Sequence, residues 1–251
     1  MPSISGQSII IIGGSSGIGF GVAKLALQEG LRVAIASSNP TRVATAVDNL
    51  KKEVPTGQIT GHECNLKGDD VEANLEKLFT EVVITNGGNA LDHIIFTAGD
   101  ALAIKSVKEI DINFIREAGQ VRFVAPLLVG KLAPRFVKNH YKSSLILTTG
   151  SISEKPAVNW SVVSSYLTGL RGMTRNLAVD IKPIRVNLVC PGAVDTELWG
   201  PSREKLIAEY KEKAFMGKVG SAEEVAESYI YLMKDTNATG SIVSTNGGAT
   251  L

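Results

Sequence analysis

Near its start, the chain has an apolar run that passes through a glycine-rich turn into a helix-period segment, IIIIGGSSGIGFGVAKLALQEG at residues 9–30. Glycine permits a sharp turn and a close approach of a diphosphate, and the following helix directs free N–H groups at the phosphates. A strand, a turn and a helix in this order predict a parallel α/β sheet with a dinucleotide at the end of the first strand. The spacing G-x-x-x-G-x-G is formed by Gly13, Gly17 and Gly19, and the predicted contacts are these three with Ser15, Ser16 and Ile18.

Short β-branched runs alternate with longer amphipathic segments along the rest of the chain. Strands that are apolar on both faces and separated by helices indicate a parallel sheet covered on both sides. Right-handed crossovers then give a doubly wound Rossmann fold. We therefore predict one α/β domain over residues 1–251, with a seven-stranded, mostly parallel sheet. The predicted strands are 8–12, 32–36, 58–64, 92–97, 143–149, 185–190 and 241–245, and the predicted helices include 17–29, 41–53, 69–84, 114–139, 160–182 and 222–234.

Composition argues against several classes of partner. The formal net charge is +1 and there is no basic block, so we expect neither nucleic acid nor an anionic membrane as partner. No apolar run approaches the roughly 20 residues that span a bilayer, and the N-terminus lacks a signal-peptide pattern. Cys64 and Cys190 lie in strand-like runs, as buried reduced thiols do, which suits a cytoplasmic protein. His62, His93 and His140 lack metal-ligand spacing, so no metal site is predicted.

The end of the second predicted strand bears on the choice of nicotinamide coenzyme. An acidic residue there would bind the ribose 2′-hydroxyl of NAD and repel the 2′-phosphate of NADP. The chain reads RVAIASSNPTRVA, with no acid between Glu29 and Asp48. The pattern therefore predicts NADP(H), although an arginine at a helix start also serves as an ordinary solvated residue. The predicted donors to the 2′-phosphate are Ser37, Ser38, Asn39 and Arg42.

Further motifs follow in a familiar order: FTAG at 96–99, LTTGS at 147–151 and GMTRNLAVDIKPIRVNLVCPGAVDTEL at 172–198. With CNL at 64–66 and STNGG at 244–248, the chain resembles the short-chain dehydrogenase/reductase family over essentially its whole length. The resemblance implies a nicotinamide coenzyme and assigns contacts to it. Asn65 and Leu66 would flank the adenine, Ala98 and Gly99 would line the ribose, and Pro191, Gly192, Val194 and Thr196 would hold the nicotinamide carboxamide and the diphosphate.

The family's catalytic pair is missing from this chain. In the family a Tyr-x-x-x-Lys pair precedes a G-L/M-T-R-x-L-A run, and counting back from Gly172 places these positions at Val163 and Leu167. Valine donates no proton, and leucine does not lower the pKa of a neighbour. Tyr166 lies three residues further on, but its own four-residue partner is Leu170. We consider Tyr166 either a displaced proton donor or a packing residue.

Three other side chains are candidates for contact with the substrate. Arg122 lies at or beside the family's fourth-helix asparagine, and it either faces the active site, contacting substrate or coenzyme, or forms a structural ion pair. Ser151 falls within one residue of the family's catalytic serine, where it either donates to the substrate or caps a strand end. Trp160 either stacks against an aromatic substrate or packs at a loop-to-helix junction. With Tyr166, these residues form the predicted catalytic set.

Several segments also look like a narrower fungal group within this family. IIGGSSGIGF, SNPTRV, VRFVAPLLVGKL and the spaced GS, KP and W resemble the NADPH-dependent reductase/Diels–Alderases of prenylated-indole alkaloid biosynthesis, which also lack the Tyr/Lys pair. Those enzymes have Asp-Pro-Gly-Trp where this chain has AVNW at 157–160. Ala157 therefore replaces a carboxylate that would pair with a cationic substrate.

The sequence predicts an NADPH-dependent reductase that acts on a bulky apolar secondary metabolite without the usual dyad. Hydride delivered to a ketone creates an alkoxide, and loss of a positioned acid costs about 10²–10⁴-fold in rate. Hydride delivered to an iminium ion neutralises it and needs no acid. An iminium ion is therefore the favoured acceptor, and imines, enones and ketones are also considered. The alternatives are a non-redox cyclase or isomerase on the same scaffold and a non-catalytic NADP-binding regulator.

Two further expectations concern the lid and the assembly. The segment 195–217 follows the nicotinamide loop, where the family places a substrate lid. The alternative for this segment is a charged surface helix with an apolar inner face. Members of the family commonly form tetramers, so a homo-oligomer, dimer or tetramer, is expected by analogy.

Overall fold

The computed structural model describes residues 1–251 and contains seven strands and eight α-helices in alternation. A π-helical segment, Gln120–Val124, joins α4 to α5, and 3₁₀ segments cover Ser151–Ser153 and Glu197–Ser202. None of the helices is long and apolar enough to cross a membrane. The elements are β1 (Ser8–Ile12), α1 (Gly17–Gln28), β2 (Arg32–Ser37), α2 (Pro40–Glu53), β3 (Gln58–Glu63), α3 (Val71–Thr85), β4 (His93–Phe96), α4 (Ile112–Gly119), α5 (Ala125–Phe136), β5 (Ser144–Thr148), α6 (Ser161–Asp180), β6 (Arg185–Pro191), α7 (Arg203–Lys213), α8 (Ala222–Lys234) and β7 (Ile242–Thr245).

All seven strands form one parallel sheet in the order β3-β2-β1-β4-β5-β6-β7. Ile10 of β1 pairs with Ala34 of β2 on one side and with Ile94 of β4 on the other. The strand order therefore reverses direction at β1 and β4, and a crevice forms outside their carboxyl ends, where α/β sheets of this kind bind ligands. The predicted fold class is confirmed.

Alternate residues of β1 face opposite sides of the sheet and enter different cores. Ile10 and Ile12 belong to a cluster of 30 buried residues that includes side chains of α3, α5 and α6. Ile9 and Ile11 belong to a cluster of 24 buried residues that includes side chains of α1, α2 and α8. Burial of successive isoleucines on both faces explains why the strands lack the apolar-polar alternation of half-exposed sheets.

The predicted single helix over 114–139 is wrong in detail, because the structure has α4, the π segment and α5 in its place. Pro126 lies in the first turn of α5 and has no N–H to donate to the carbonyl of Arg122, four residues earlier. The π segment, which contains Arg122, lies directly before this interruption. Such segments are frequent at functional sites.

A buried polar network lies near the amino ends of the central strands. The carboxylate of Asp92 accepts the backbone N–H of Ser8 at 2.8 Å and an ammonium N–H of Lys138 at 2.7 Å. The ring of His93 lies between Ser144 Oγ, 2.9 Å from Nδ1, and Gln7 Oε1, 2.7 Å from Nε2. Burial lowers the pKa of His93 to about 3, against the attraction of Asp92.

His93 should therefore make folding stability depend on pH. The unfolded chain takes up a proton near the ordinary histidine pKa, whereas the folded chain does so only near 3, so stability falls as the pH decreases between these values. As the pH falls from about 6 to about 4, the free energy of unfolding of the natural protein should decrease by about 1.4 kcal/mol per pH unit more than that of His93→Gln. Urea unfolding measures this, and His140→Gln, at an exposed position, should keep the natural slope. Parallel slopes for the natural protein and His93→Gln would contradict it.

Candidate active site

The glycine turn after β1 is held tightly against the neighbouring strands. Gly13 has a φ of +97°, and a Cβ there would lie 2.5 Å from the backbone nitrogen of Ala98 after β4. The N–H groups of Gly13 and Gly14 both donate to the carbonyl of Ala36 in β2, at 2.8 and 3.3 Å. Only glycine fits at position 13, because both the backbone conformation and the space exclude a side chain. The turn is therefore fixed where β1, β2 and β4 end.

The N-terminus of α1 presents a set of backbone donors. The N–H groups of Ser15, Ser16, Ile18 and Gly19 form no hydrogen bond within the protein. The N–H of Gly17 donates to a carboxylate oxygen of Glu197, 3.1 Å away. A carboxylate thus already lies at the positive end of the helix dipole, where anions are stabilised. These backbone N–H groups fit the diphosphate of a dinucleotide. In this structure the carboxylate of Glu197 is the anion that accepts one of them.

The residues after β2 combine a helix cap with a free cation. Asn39 caps α2, its Oδ1 accepting the N–H of Arg42 at 2.9 Å. The guanidinium of Arg42 is exposed and has no hydrogen bond or ion pair, and Ser38 is exposed beside the cap. Glu63, the last residue of β3, pairs in register with Ser37. The prediction from sequence considered only acids near the end of β2 and missed Glu63. Strand pairing, not proximity in sequence, brings Glu63 beside Ser37 at the end of β2.

Asn65 and Leu66 lie in the β3–α3 connection with different environments. Asn65 is exposed, and its side chain accepts the N–H of Lys67 at 3.0 Å. Leu66 is buried in the core, and its carbonyl accepts an amide N–H of Gln120 at 3.4 Å. Asn65 is therefore accessible to a ligand through its amide group, whereas the side chain of Leu66 mainly packs.

The loop after β6 closes over the glycine turn. Pro191 ends β6 opposite Thr245, and a Cβ at Gly192 would lie 2.7 Å from the carbonyl oxygen of Asn246. Val194 is buried. Thr196 is buried too, and its methyl carbon lies 3.0 Å from where a Cβ of Gly17 would be. The structure therefore brings the predicted nicotinamide loop and the predicted diphosphate turn together.

The positions of the family's dyad form an aliphatic wall. Val163 is fully buried and Leu167 nearly so. The carbonyl of Leu167 accepts the hydroxyl of Thr149 at 2.7 Å, and its side chain lies beside Gly150 at the end of β5. Leu167, at the predicted position of the family's lysine, therefore lies beside the carboxyl end of the sheet, where its side chain contributes only hydrocarbon.

Tyr166 belongs to the packing of α6 against α4. Its hydroxyl donates to the carbonyl of Ile115 at 3.0 Å, and its ring lies against Gly119 and 5.5 Å from the ring of Phe123. A shift of three residues rotates a side chain by about 60° around a helix axis. That rotation directs Tyr166 away from the position of the family's tyrosine. These contacts favour the packing alternative for Tyr166 over the displaced donor.

Arg122 contacts Gly99 and Asp100 after β4. Its Nε lies 3.2 Å from a carboxylate oxygen of Asp100, and a terminal nitrogen donates to the carbonyl of Asp100. The Nε contact is an ion pair without hydrogen-bond alignment. Burial lowers the pKa of Arg122, and the charge of Asp100 opposes this. Arg122 stays charged, because arginine does not lose its proton at neutral pH. The sequence reading missed Asp100, although it directly follows FTAG.

Ser151 and Trp160 lie on the connection between β5 and α6. The hydroxyl of Ser151 has no hydrogen-bond partner, and Trp160 is half-buried at the start of α6. Asn159 has a φ of +69°, and its carbonyl accepts the N–H of Lys105 from the β4–α4 connection at 3.1 Å. No hydrogen bond joins Ser151, Trp160 and Arg122 to one another. The structure thus places Arg122 beside Gly99 without linking the three candidates directly.

Apolar side chains lie exposed on the connections that follow β4, β5 and β6. In the segment predicted as a lid, the rings of Trp199 and Tyr210 lie 5.5 Å apart, and Asp195 binds Arg203 at 2.5 Å. Monomer surfaces rarely leave many large apolar side chains together without a use for them. The exposed apolar residues on these connections are Ile104, Val107, Val158, Leu198, Phe215 and Met216.

The fold and this site define a Rossmann domain of the class that binds a nicotinamide dinucleotide. The model of the SDR-like Rossmann domain matches residues 3–251, and the chain belongs to that family of short-chain dehydrogenases/reductases. The resemblance found in the sequence is confirmed.

Fungal proteins are among the most similar relatives. Short-chain dehydrogenase/reductase ATR9 of Stachybotrys chlorohalonatus is 47% identical, covering 100% of both chains. Short-chain dehydrogenase/reductase fsr5 of Gibberella fujikuroi is 42% identical, covering 99% of this chain and 96% of its own. The solved structure of the MalC Reductase/Diels-Alderase from Malbranchea aurantiaca has a TM-score of 0.90 and 38% identity, covering 97% of this chain and 95% of its own.

A double-mutant cycle should measure the coupling of Arg122 to Asp100. Asp100→Ala should lower the free energy of unfolding by about 1–3 kcal/mol, because it leaves the guanidinium without its counter-charge. In an Arg122→Met background, Asp100→Ala should lower the free energy of unfolding by at least about 1 kcal/mol less than it does in the natural protein. Urea unfolding followed by circular dichroism gives the four values. If the effects of the two substitutions add to within about 0.3 kcal/mol, the contact between Arg122 and Asp100 does not stabilise the fold.

Proposed function

We propose that the protein is an NADP(H)-dependent reductase that transfers hydride to a bulky apolar secondary metabolite without a Tyr/Lys pair. The observation that carries the proposal is the combination of free backbone donors at the glycine turn with aliphatic side chains at Val163 and Leu167. The first feature suits a dinucleotide, and the second removes the family's proton donor. The fungal relatives named above, which are short-chain dehydrogenases/reductases and a reductase/Diels–Alderase, support the proposal by analogy.

The preference for NADP(H) rests on Arg42. Its guanidinium is unpaired at the edge where the ribose would lie, and a hydrogen bond to a charged group contributes about 1.5–3 kcal/mol. Glu63 on the neighbouring strand opposes a 2′-phosphate. Glu63 is exposed, however, and water and salt screen its repulsion more than they weaken a direct guanidinium–phosphate contact. We therefore propose NADP(H), with Ser37, Ser38 and Asn39 as further donors.

Substitution of Arg42 tests this preference. Arg42→Gln should raise the Kd for NADPH by about 10- to 100-fold and leave the Kd for NADH nearly unchanged. Titration calorimetry with both coenzymes measures the two constants. Arg175→Gln, which removes the same charge from an exposed position on α6, is the matched control and should leave both constants unchanged. An equal loss for NADPH and NADH, or no loss, would remove the argument for a 2′-phosphate contact.

The protein's own groups define which chemistry is available. The bound coenzyme would supply the hydride. Val163 and Leu167 have no proton to give, and the guanidinium of Arg122 donates hydrogen bonds but keeps its protons. Arg122, held by Asp100, would therefore stabilise developing negative charge rather than protonate it. Ser151 offers a free hydroxyl for orienting the substrate. These groups suit an acceptor that needs no proton, such as an iminium ion.

The exposed apolar residues on the connections after β4, β5 and β6 would contact such a substrate. Trp160 and Val158, which is 85% exposed, lie close together in sequence on the connection before α6, and Phe215, which is 76% exposed, lies after α7. A bulky apolar ligand would cover them and displace water from the reacting centre. We propose that Trp160 is part of this wall and that residues 195–217 act as the lid.

A second candidate is cyclisation without net redox change. It is favoured by the solved structure of the MalC Reductase/Diels-Alderase, which shares 38% identity with this chain. Ala157 counts against cyclisation, because it occupies the place of the carboxylate in the resembling enzymes.

We also propose, by analogy with the family, that the protein forms a homo-oligomer. The exposed Leu127 on α5 and Val179 on α6 are available for its interface.

A substrate panel separates these functions. One bulky aromatic scaffold should be offered as an iminium ion, imine, enone and ketone, with NADPH absorbance and product masses followed together. We expect NADPH consumption to be fastest with the iminium ion and slower with the ketone by roughly 10²–10⁴-fold. Equal rates for the ketone and the iminium ion would mean that a proton donor is present. New products without NADPH consumption would favour the cyclase, and coenzyme binding without any product would favour the regulator.

A further inference from the structure

The carboxylate of the exposed residue Glu197 lies at the N-terminus of α1, within the predicted diphosphate site. Glu197 begins the 3₁₀ segment Glu197–Ser202, directly after the nicotinamide loop. Its hydrogen bond from the N–H of Gly17, at 3.1 Å, is the only one its side chain forms, and it has no ion pair with a lysine or arginine. The N-terminus of α1 is therefore the only hydrogen-bond partner of this carboxylate, and Arg203 attracts it only from beyond ion-pair distance.

A coenzyme diphosphate and this carboxylate would compete for the same place. Both are anions, and both are stabilised by the free N–H groups and by the positive end of the helix dipole. The N–H of Gly17 is pointed at Glu197, and the buried side chain of Thr196 lies against the same glycine. A diphosphate that accepts this N–H needs the carboxylate to leave, because two anions at hydrogen-bond distance repel each other.

We propose that Glu197 is a latch, which holds the first turn of the lid on the glycine turn and is displaced when the coenzyme binds. The inference rests on the proposed function, because the displacing anion is the diphosphate of NADP(H). Two consequences follow. The coenzyme binds more weakly than the donor set alone would allow, and its binding is coupled to a rearrangement of residues 197–202.

The local geometry connects the latch to an observable side chain. Trp199 lies two residues after Glu197, and its ring is tilted against that of Tyr210 on α7. Gly200 has a φ of +55° and interrupts the 3₁₀ segment, so the chain changes direction there. Release of Glu197 therefore acts on a short segment between the nicotinamide loop and α7. By thermodynamic linkage, the contact of Glu197 with Gly17 weakens coenzyme binding by the same factor by which bound coenzyme weakens that contact.

Two substitutions separate charge from contact. Glu197→Gln keeps the size of the side chain and removes its charge, and Glu197→Ala removes the contact itself. Both should lower the Kd for NADP⁺ by about 3- to 30-fold in titration calorimetry. Glu227→Gln is the matched control, because Glu227 is an exposed acid without a partner on α8, outside the proposed lid. Its Kd should equal that of the natural protein.

Tryptophan fluorescence tests the coupling to the lid. The chain has two tryptophans, so Trp160→Phe leaves Trp199 as the only reporter. In that background, NADP⁺ should change the emission of Trp199. With Glu197→Ala added, the emission should already resemble that of the coenzyme-bound form and should respond to NADP⁺ by less than half as much. Far-UV circular dichroism confirms that each variant is folded.

The outcomes keep the latch and the proposed function apart. If the natural protein binds neither NADP⁺ nor NADPH, the proposed function is wrong. If it binds them, but both Glu197 variants bind with the natural Kd, the latch is wrong and the function stands. Weaker binding by Glu197→Gln would also overturn the latch, because it would mean that the carboxylate supports the bound state.

Discussion

The structure depends on a set of backbone N–H groups that the protein's own backbone leaves unpaired at the start of α1. The first N–H groups of a helix have no acceptor within the helix, so water, a side chain or an anion must accept them, and the helix dipole favours an anion. The tight contact of Gly13 with Ala98 and the bonds to Ala36 hold these donors at the reversal of strand order. The carboxylate of Glu197 accepts one of these N–H groups, that of Gly17, and we propose that a coenzyme diphosphate displaces it and accepts the others as well.

Around this anion site the protein keeps the fold of its family. At the predicted positions of the family's tyrosine and lysine, Val163 and Leu167 contribute only buried hydrocarbon. Arg122, on the π-helical segment, contacts Gly99 and pairs with Asp100 on the connection after β4. A guanidinium can stabilise negative charge but cannot supply a proton at neutral pH. Both features favour acceptors that need no protonation.

The sequence predicted the regular parts of this molecule and missed the contacts made across the chain. β1 is a nearly continuous apolar run, and β6 is interrupted only by the buried Arg185 and Asn187. The glycine turn has its own spacing, so local pattern was sufficient for the fold class and the family. Glu63, Asp100 and Glu197 come to the site through strand register and loop packing, which no local pattern records. The π segment was missed because an α-helical period and a single wider turn have nearly the same apolar pattern.

The most direct test of the account observes the glycine-turn amides themselves. In an NMR titration of the ¹⁵N-labelled protein with NADP⁺, the amide signals of Ser15, Ser16, Ile18 and Gly19 should shift together and saturate with one Kd, which calorimetry should reproduce. The signal of Gly17 should shift with them as it exchanges a carboxylate for a phosphate oxygen. If these amides stay in place while NADP⁺ binds, or if no signal moves at all, the turn is not the coenzyme site and the account is wrong.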